Sequence, residues 1–183
     1  MLSKERIKEA ETNVKSYLSE GLIKKESVNA DVLRVFLRNA EESIASGEKL
    51  SSEGTSDLWV IVCSYYSMFY IANAVLRKLG YKVGEKIGHK VTADALIVYV
   101  RGKLKESLLE EYEETKNEAL ALAGMKADSL IESFDFEKNK RGSIQYGTDD
   151  FEKESKAKTS LQRAKTFFQE MKKFLIEIDG RTR

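Results

Sequence analysis

Apolar residues recur at helical spacing along most of the chain. Between residues 3 and 20, Ile7, Ala10, Val14, Tyr17 and Leu18 share one face, with Ser3 placed to cap the helix and Gly21 to end it. From about Asp31 to Ala45 the pattern returns in Val32, Val35, Phe36, Ala40 and Ile44, and the polar stretch GEKLSSEGTS then predicts a flexible loop. Residues 58–76, LWVIVCSYYSMFYIANAVL, hold no charged side chain. A helix that is apolar on every side has to be enclosed by other helices, so this segment is predicted to be the core helix. Thr55, Ser56 and Asp57 supply its cap, and Gly80 its terminator.

The loop GYKVGEKIG leads into a predicted helix from about His89 to Val100. A long acidic stretch over 104–139 offers Leu108, Leu109, Tyr112, Ala119, Leu122, Leu130, Ile131 and Phe134 for burial, with Gly124 as an interruption. A last helix, from about Phe151 to Ile178, sets Leu161, Ala164, Phe168, Met171, Leu175 and Ile178 three and four residues apart, the spacing of a bundle seam. No strand-like alternation of useful length is present. The fold expected is all-α, an antiparallel up-and-down bundle of four to five main helices plus an N-terminal helix. Residues 1–30 are expected to form a helical extension packed on a bundle over 31–179, with 180–183 as a tail.

Composition sharpens this picture. The chain has 183 residues, 42% of them hydrophobic and 33% charged, with 11 glycines and no proline. Ordinary usage of about 5% would supply about nine prolines, so the chain is seldom forced to turn. Net charge is +1, so attraction to an anionic polymer or membrane must be local. Cys63 and His89 are the only residues of their kinds, which excludes an intramolecular disulfide and a Cys- or His-rich metal site. No cofactor is implied. The N-terminal MLSKERIKEAETNVK lacks the apolar stretch of a signal peptide, and a cytoplasmic location is expected. The uncharged segment approaches the ~20 residues that a bilayer requires. Its Ser64, Tyr65, Tyr66, Ser67, Tyr70 and Asn73 favour burial among helices, where they find hydrogen-bond partners, and no membrane association is expected.

Charge is segregated along the chain. Residues 77–105 carry eight Lys/Arg against two acids, residues 106–137 ten acids against two lysines, and residues 153–173 seven Lys/Arg against two glutamates. Paired helix faces account for such runs as readily as a basic groove does. The most suggestive constellation is KNKRGSIQYGTDDFE at 138–152. Lys138, Lys140 and Arg141 form a basic knot suited to phosphate, and Tyr146 offers a hydroxyl to a ribose or base. A basic loop before a capped helix would look the same. His89, at a loop-to-helix boundary, has the chemistry of a general acid or base near neutral pH, although a capping or surface role is commoner for a lone histidine. Cys63 is expected to be an inert buried thiol. Glu110, Glu111, Glu113 and Glu114 point around a helix and read as a solvated face.

The segment SYYSMFYIANAVLRKLGYKVGEKIGHKVTADAL, preceded by FLRNAEESIASGEKL and followed by SLQRAKTFFQEMKKFL, resembles the HEPN (higher eukaryotes and prokaryotes nucleotide-binding) domain family over roughly residues 32–178. The resemblance implies a bundle of four or five helices that is usually dimeric. Ribonuclease members of the family carry an Arg, four to six residues, His motif at the dimer cleft and cleave RNA without metal. Here Arg141 matches the Arg, and Tyr146 stands at the His position. An unperturbed tyrosine, with a pKa of about 10, is a poor base at neutral pH. Two functional readings follow, beside the plain one of a structural helical protein whose 138–150 loop is only a connection. One is a protein of toxin–antitoxin type that binds RNA or nucleotide phosphate in a dimer cleft, and that as an enzyme would be a metal-independent endoribonuclease using Arg141, Tyr146 and His89. The other is a non-catalytic partner of a small nucleotidyltransferase.

Overall fold

The computed structural model describes residues 2–122 and 150–181. Its helices are α1 (Lys4–Ser19), α2 (Ala30–Glu53), α3 (Asp57–Lys78), α4 (Gly88–Tyr99), α5 (Glu106–Leu122) and α6 (Asp150–Arg181), and its two short strands are β1 (Ile23–Lys25) and β2 (Tyr81–Val83). The fold is all-α, a helical bundle around α3, against which α2, α4, α5, α6 and β2 all pack. Ile61, Tyr65, Met68, Ile71 and Leu76 of α3 are fully buried. Each such aliphatic side chain taken out of water contributes about 1.5–3 kcal/mol.

Ser64 and Asn73, buried polar residues of α3, find partners inside the bundle, whereas the buried Ser67 hydroxyl has none among the described residues. Ser64 donates to the Val60 carbonyl at 2.7 Å, and Asn73 donates to the Phe69 carbonyl and to Thr92 Oγ1. By length and composition α3 could cross a membrane, yet 67% of its most apolar stretch is buried inside the bundle. Local chemistry sets its ends. Ser56 accepts a hydrogen bond from the Trp59 N–H, and Gly80 takes a φ of +86°, a conformation cheap only for glycine.

Two expectations are corrected. First, α2 does not stop near Ala45 but runs to Glu53, so the predicted loop shrinks to the turn at Gly54. Gly47 is a contact residue within this helix rather than a break. A Cβ placed there would lie 3.4 Å from Cys63 Cβ and 3.4 Å from Leu161 Cδ1, so its lack of a side chain lets α2 lie close to α3 and α6. Second, the chain does form strands. β1 and β2 pair antiparallel, Ile23 opposite Val83 and Lys25 opposite Tyr81, over a length too short to leave a period-two signal.

A buried charge cluster holds α1 in place. Asp94 of α4 is 1% exposed and meets Arg6 Nη2 at 2.6 Å, while Asn13 Nδ2 and the Tyr17 hydroxyl each donate to its Oδ2 at 3.0 Å. Arg6 also bonds Glu113 of α5, so three helices share one network. Burial and the Asp94 carboxylate push the Tyr17 pKa well up, which keeps the hydroxyl a donor.

The Gly47 contact gives a signed prediction. Gly47→Ala should stabilise the protein by up to about 1 kcal/mol, because a methyl fits and helix propensity improves. Gly47→Leu should destabilise it by about 1–3 kcal/mol through overpacking against Cys63 and Leu161. Urea unfolding of both variants measures the two signs.

Candidate functional site

His89 occupies the second position of α4. The residue that launches this helix, Ile87, has a φ of +47° and offers no side-chain cap. For a β-branched residue that conformation is strained, at about 1–3 kcal/mol, and persists only where the surroundings fix it. Ile87 is half-buried against the core, and the strained turn delivers Gly88 and His89 against α3.

The imidazole lies among aromatic rings. Its centroid is 4.5 Å from that of Phe69, 5.4 Å from Tyr65 and 5.9 Å from Tyr66. Tyr65, which is fully buried, places its hydroxyl 2.6 Å from His89 Nδ1. Burial and the neighbouring phenol of Tyr112 hold the Tyr65 pKa well above 10, so this hydroxyl keeps its proton. The buried Tyr112 hydroxyl is a second polar neighbour of the Tyr65 phenol. Burial and the nearby Lys116 cation push the His89 pKa down. His89 is therefore neutral at pH 7, with Nδ1 engaged by the Tyr65 hydroxyl. Lys116 is itself drawn down by burial and by the Arg6 and Lys90 charges, against the pull of Glu113 and Asp94.

His89 opens on a groove of about 620 Å³ between α2, α3, β2 and the start of α4. Phe36, Tyr66 and Phe69 form its aromatic walls, and Asn73, His89, Arg77 and Lys82 are also among its lining residues. Arg77 lies over the Phe36 ring at 5.9 Å and pairs with Glu26 at 2.8 Å, and Lys82 approaches the same carboxylate at 3.5 Å. The chain just before α2 therefore neutralises much of the cationic charge. Tyr81 of β2 stacks on Tyr99 of α4 at 4.0 Å, and burial beside Tyr81 raises the Tyr99 pKa to about 12. Strand pairing, this stack and the Asp94 cluster together fix the groove walls.

Of the residues singled out from sequence, His89 lies in this groove, whereas Lys138, Lys140, Arg141 and Tyr146 lie outside the described residues. Cys63 is half-buried rather than fully buried, and its burial raises the thiol pKa, which disfavours the reactive thiolate. Within the glutamate run, Glu113 is committed to Arg6 and Glu114 to Arg163. No group of three or more His, Cys, Asp or Glu suited to a metal occurs among the described residues. Tyr65, Phe69, Phe36, Arg77 and Lys82 were not singled out as site residues. The available signal was a tyrosine inside an uncharged helix, because a buried phenol requires a partner and the sequence offers a single histidine.

The segment from α2 to α6 that builds the groove matches a known domain model, that of the HEPN domain, over residues 33–174. The chain belongs to the HEPN domain family. No curated protein and no solved structure matches it. HEPN membership points to a nucleotide- or RNA-related function. α1, β1 and Glu26 precede the matched HEPN span, so one carboxylate that neutralises the groove cations comes from outside it.

Because the chain has one histidine, the protonation state of the site is directly measurable. The imidazole ¹⁵N spectrum should show a single neutral tautomer in the native protein, and a tautomer mixture in Tyr65→Phe. A depressed His89 pKa means that the unfolded chain binds more protons below pH 6.5. The stability due to neutral His89 is complete above pH 6.5 and is lost as pH falls towards the folded-state value. The stability advantage over His89→Gln should therefore shrink on acidification, as read by urea unfolding across that range.

Proposed function

We propose that this HEPN protein binds RNA or a nucleotide. The observation that carries the reading is the neutral His89, held by Tyr65 at the edge of an aromatic groove within the HEPN span. A fixed imidazole beside stacking surfaces suits an unstacked nucleotide, because aromatic rings accept the face of any base. Lys138, Lys140 and Arg141 supply the phosphate contacts in this reading, with Arg141 as the bidentate group and Tyr146 on sugar or base. The protein acts as a homodimer of toxin–antitoxin type, with two copies sharing the cleft. If the bound RNA is cut, the chemistry is attack of a ribose 2′-hydroxyl on the adjacent phosphate, without metal, with Arg141 stabilising the developing charge.

A second reading is favoured by one residue. Tyr146, at the position where nuclease relatives carry a histidine, lacks a proton that exchanges near neutral pH. That suits a protein that does not cleave RNA and pairs instead with a small nucleotidyltransferase.

Titration of a labelled single-stranded RNA at increasing salt tests the first reading. Affinity should fall as salt rises, and Arg141→Ala should weaken binding and reduce the log–log salt slope by about 0.7, the value of one phosphate contact on a single strand. No RNA binding at low salt would contradict the proposal. RNA cleavage in the presence of EDTA that disappears in Arg141→Ala supports the nuclease form, and intact RNA with tight binding supports the partner form.

A further inference from the structure

We propose that the His89 groove is a reading site for the edge of one unpaired nucleobase, taking the uncharged heterocycle while phosphate is bound elsewhere. This rests on the reading of the protein as RNA- or nucleotide-binding, and adds to it which part of the ligand the groove takes.

The first argument is electrostatic. The groove includes Arg77 and Lys82, but both face Glu26, at 2.8 Å and 3.5 Å, and Glu85 is a further carboxylate of the lining. Two cations against two carboxylates leave no net charge. A phosphate placed there would lose its hydration without a free cation in return. A neutral ring loses far less.

The second argument concerns the polar atoms that remain. Asn73 commits both amide hydrogens, to the Phe69 carbonyl at 2.9 Å and to Thr92 Oγ1 at 3.2 Å, so Oδ1 is what it can present to the groove. His89 commits Nδ1 to Tyr65, so Nε2 is what it can present. Both commitments are made to fully buried partners, since Thr92 and Tyr65 are 0% and 1% exposed. Thr92 lies three residues after His89 on α4, which brings the Asn73 amide and the imidazole to the same helix face. The groove therefore offers one fixed acceptor, the Asn73 amide oxygen, and one fixed imidazole nitrogen. Every nucleobase carries polar edge atoms to meet that pair together with ring faces to meet the aromatic walls, and ribose and phosphate have no such faces.

The third argument is shape. Phe36, Tyr66 and Phe69 provide ring faces beside the two polar atoms, and about 620 Å³ holds a nucleoside but not a duplex. The strained Ile87 turn then has a role, because it sets the imidazole against α3 rather than in solvent.

Adenosine, cytidine and ribose 5-phosphate, titrated separately into the full chain, test the proposal. The nucleosides should bind with little salt dependence and ribose 5-phosphate should not. Phe69→Leu should weaken nucleoside binding by about tenfold or more through loss of stacking. If that variant fails to fold, the wild-type His89 Nε2 resonance serves instead, and it should shift on addition of nucleoside. The proposal falls if RNA binds while nucleosides neither bind nor move that resonance, an outcome that leaves the RNA reading standing. It falls also if ribose 5-phosphate binds as well as adenosine and is displaced by salt. If neither RNA nor nucleoside binds, both readings fall together.

Discussion

Between Asp57 and Arg77 helix α3 has no charged side chain, so water offers it no stable exposed arrangement and the rest of the chain is organised to enclose it. α2 and α6 supply the closest cover, made possible at one crossing by the absent side chain of Gly47. The same enclosure imposes a second requirement, since every hydroxyl and amide that α3 carries inward loses water. Ser64 and Asn73 meet it with backbone carbonyls of their own helix, but a phenol is too long for that solution. Tyr65 reaches instead to His89, and the enclosure of α3 thereby fixes the orientation of the imidazole.

The segment before the matched HEPN span takes part in this arrangement. β1 pairs with β2, Glu26 accepts the charges of Arg77 and Lys82, and Arg6, Asn13 and Tyr17 converge on Asp94 five residues beyond His89. A buried carboxylate left without its partners is strongly destabilising, so the Asp94 cluster acts chiefly to specify where α1 sits. α1 in turn steadies α4, whose first turn forms part of the groove. The N-terminal segment thus supports the site through β2 and α4, the two elements that flank the glycine-containing loop at residues 84–87.

The helices and the central position of α3 were legible in the sequence because they rest on local patterns: periodicity, caps at Ser3 and Ser56, and a run without charge. The extent of α2 was not, because Gly47 and the serines around it carry the composition of a loop, and only close contact with Cys63 and Leu161 makes the helix the better state. The strand pair escaped notice for want of length. His89 was legible as a candidate by its uniqueness, whereas its partner stands 24 residues away on another helix. Phe36, Phe69 and Arg77 occupy ordinary helical positions, and only the packing of α2 against α3 assembles them into a groove. Lys138, Lys140, Arg141 and Tyr146 stand on sequence alone, since they lie outside the described residues.

The central claim is that an RNA base enters the groove beside His89. Photocrosslinking of a single-stranded RNA bearing 4-thiouridine, followed by mass spectrometric mapping of the adducts, tests it most directly. The account predicts adducts on the peptides that contain Tyr66, Phe69 or His89. Adducts confined to the 138–152 segment, with none on those peptides, would contradict it.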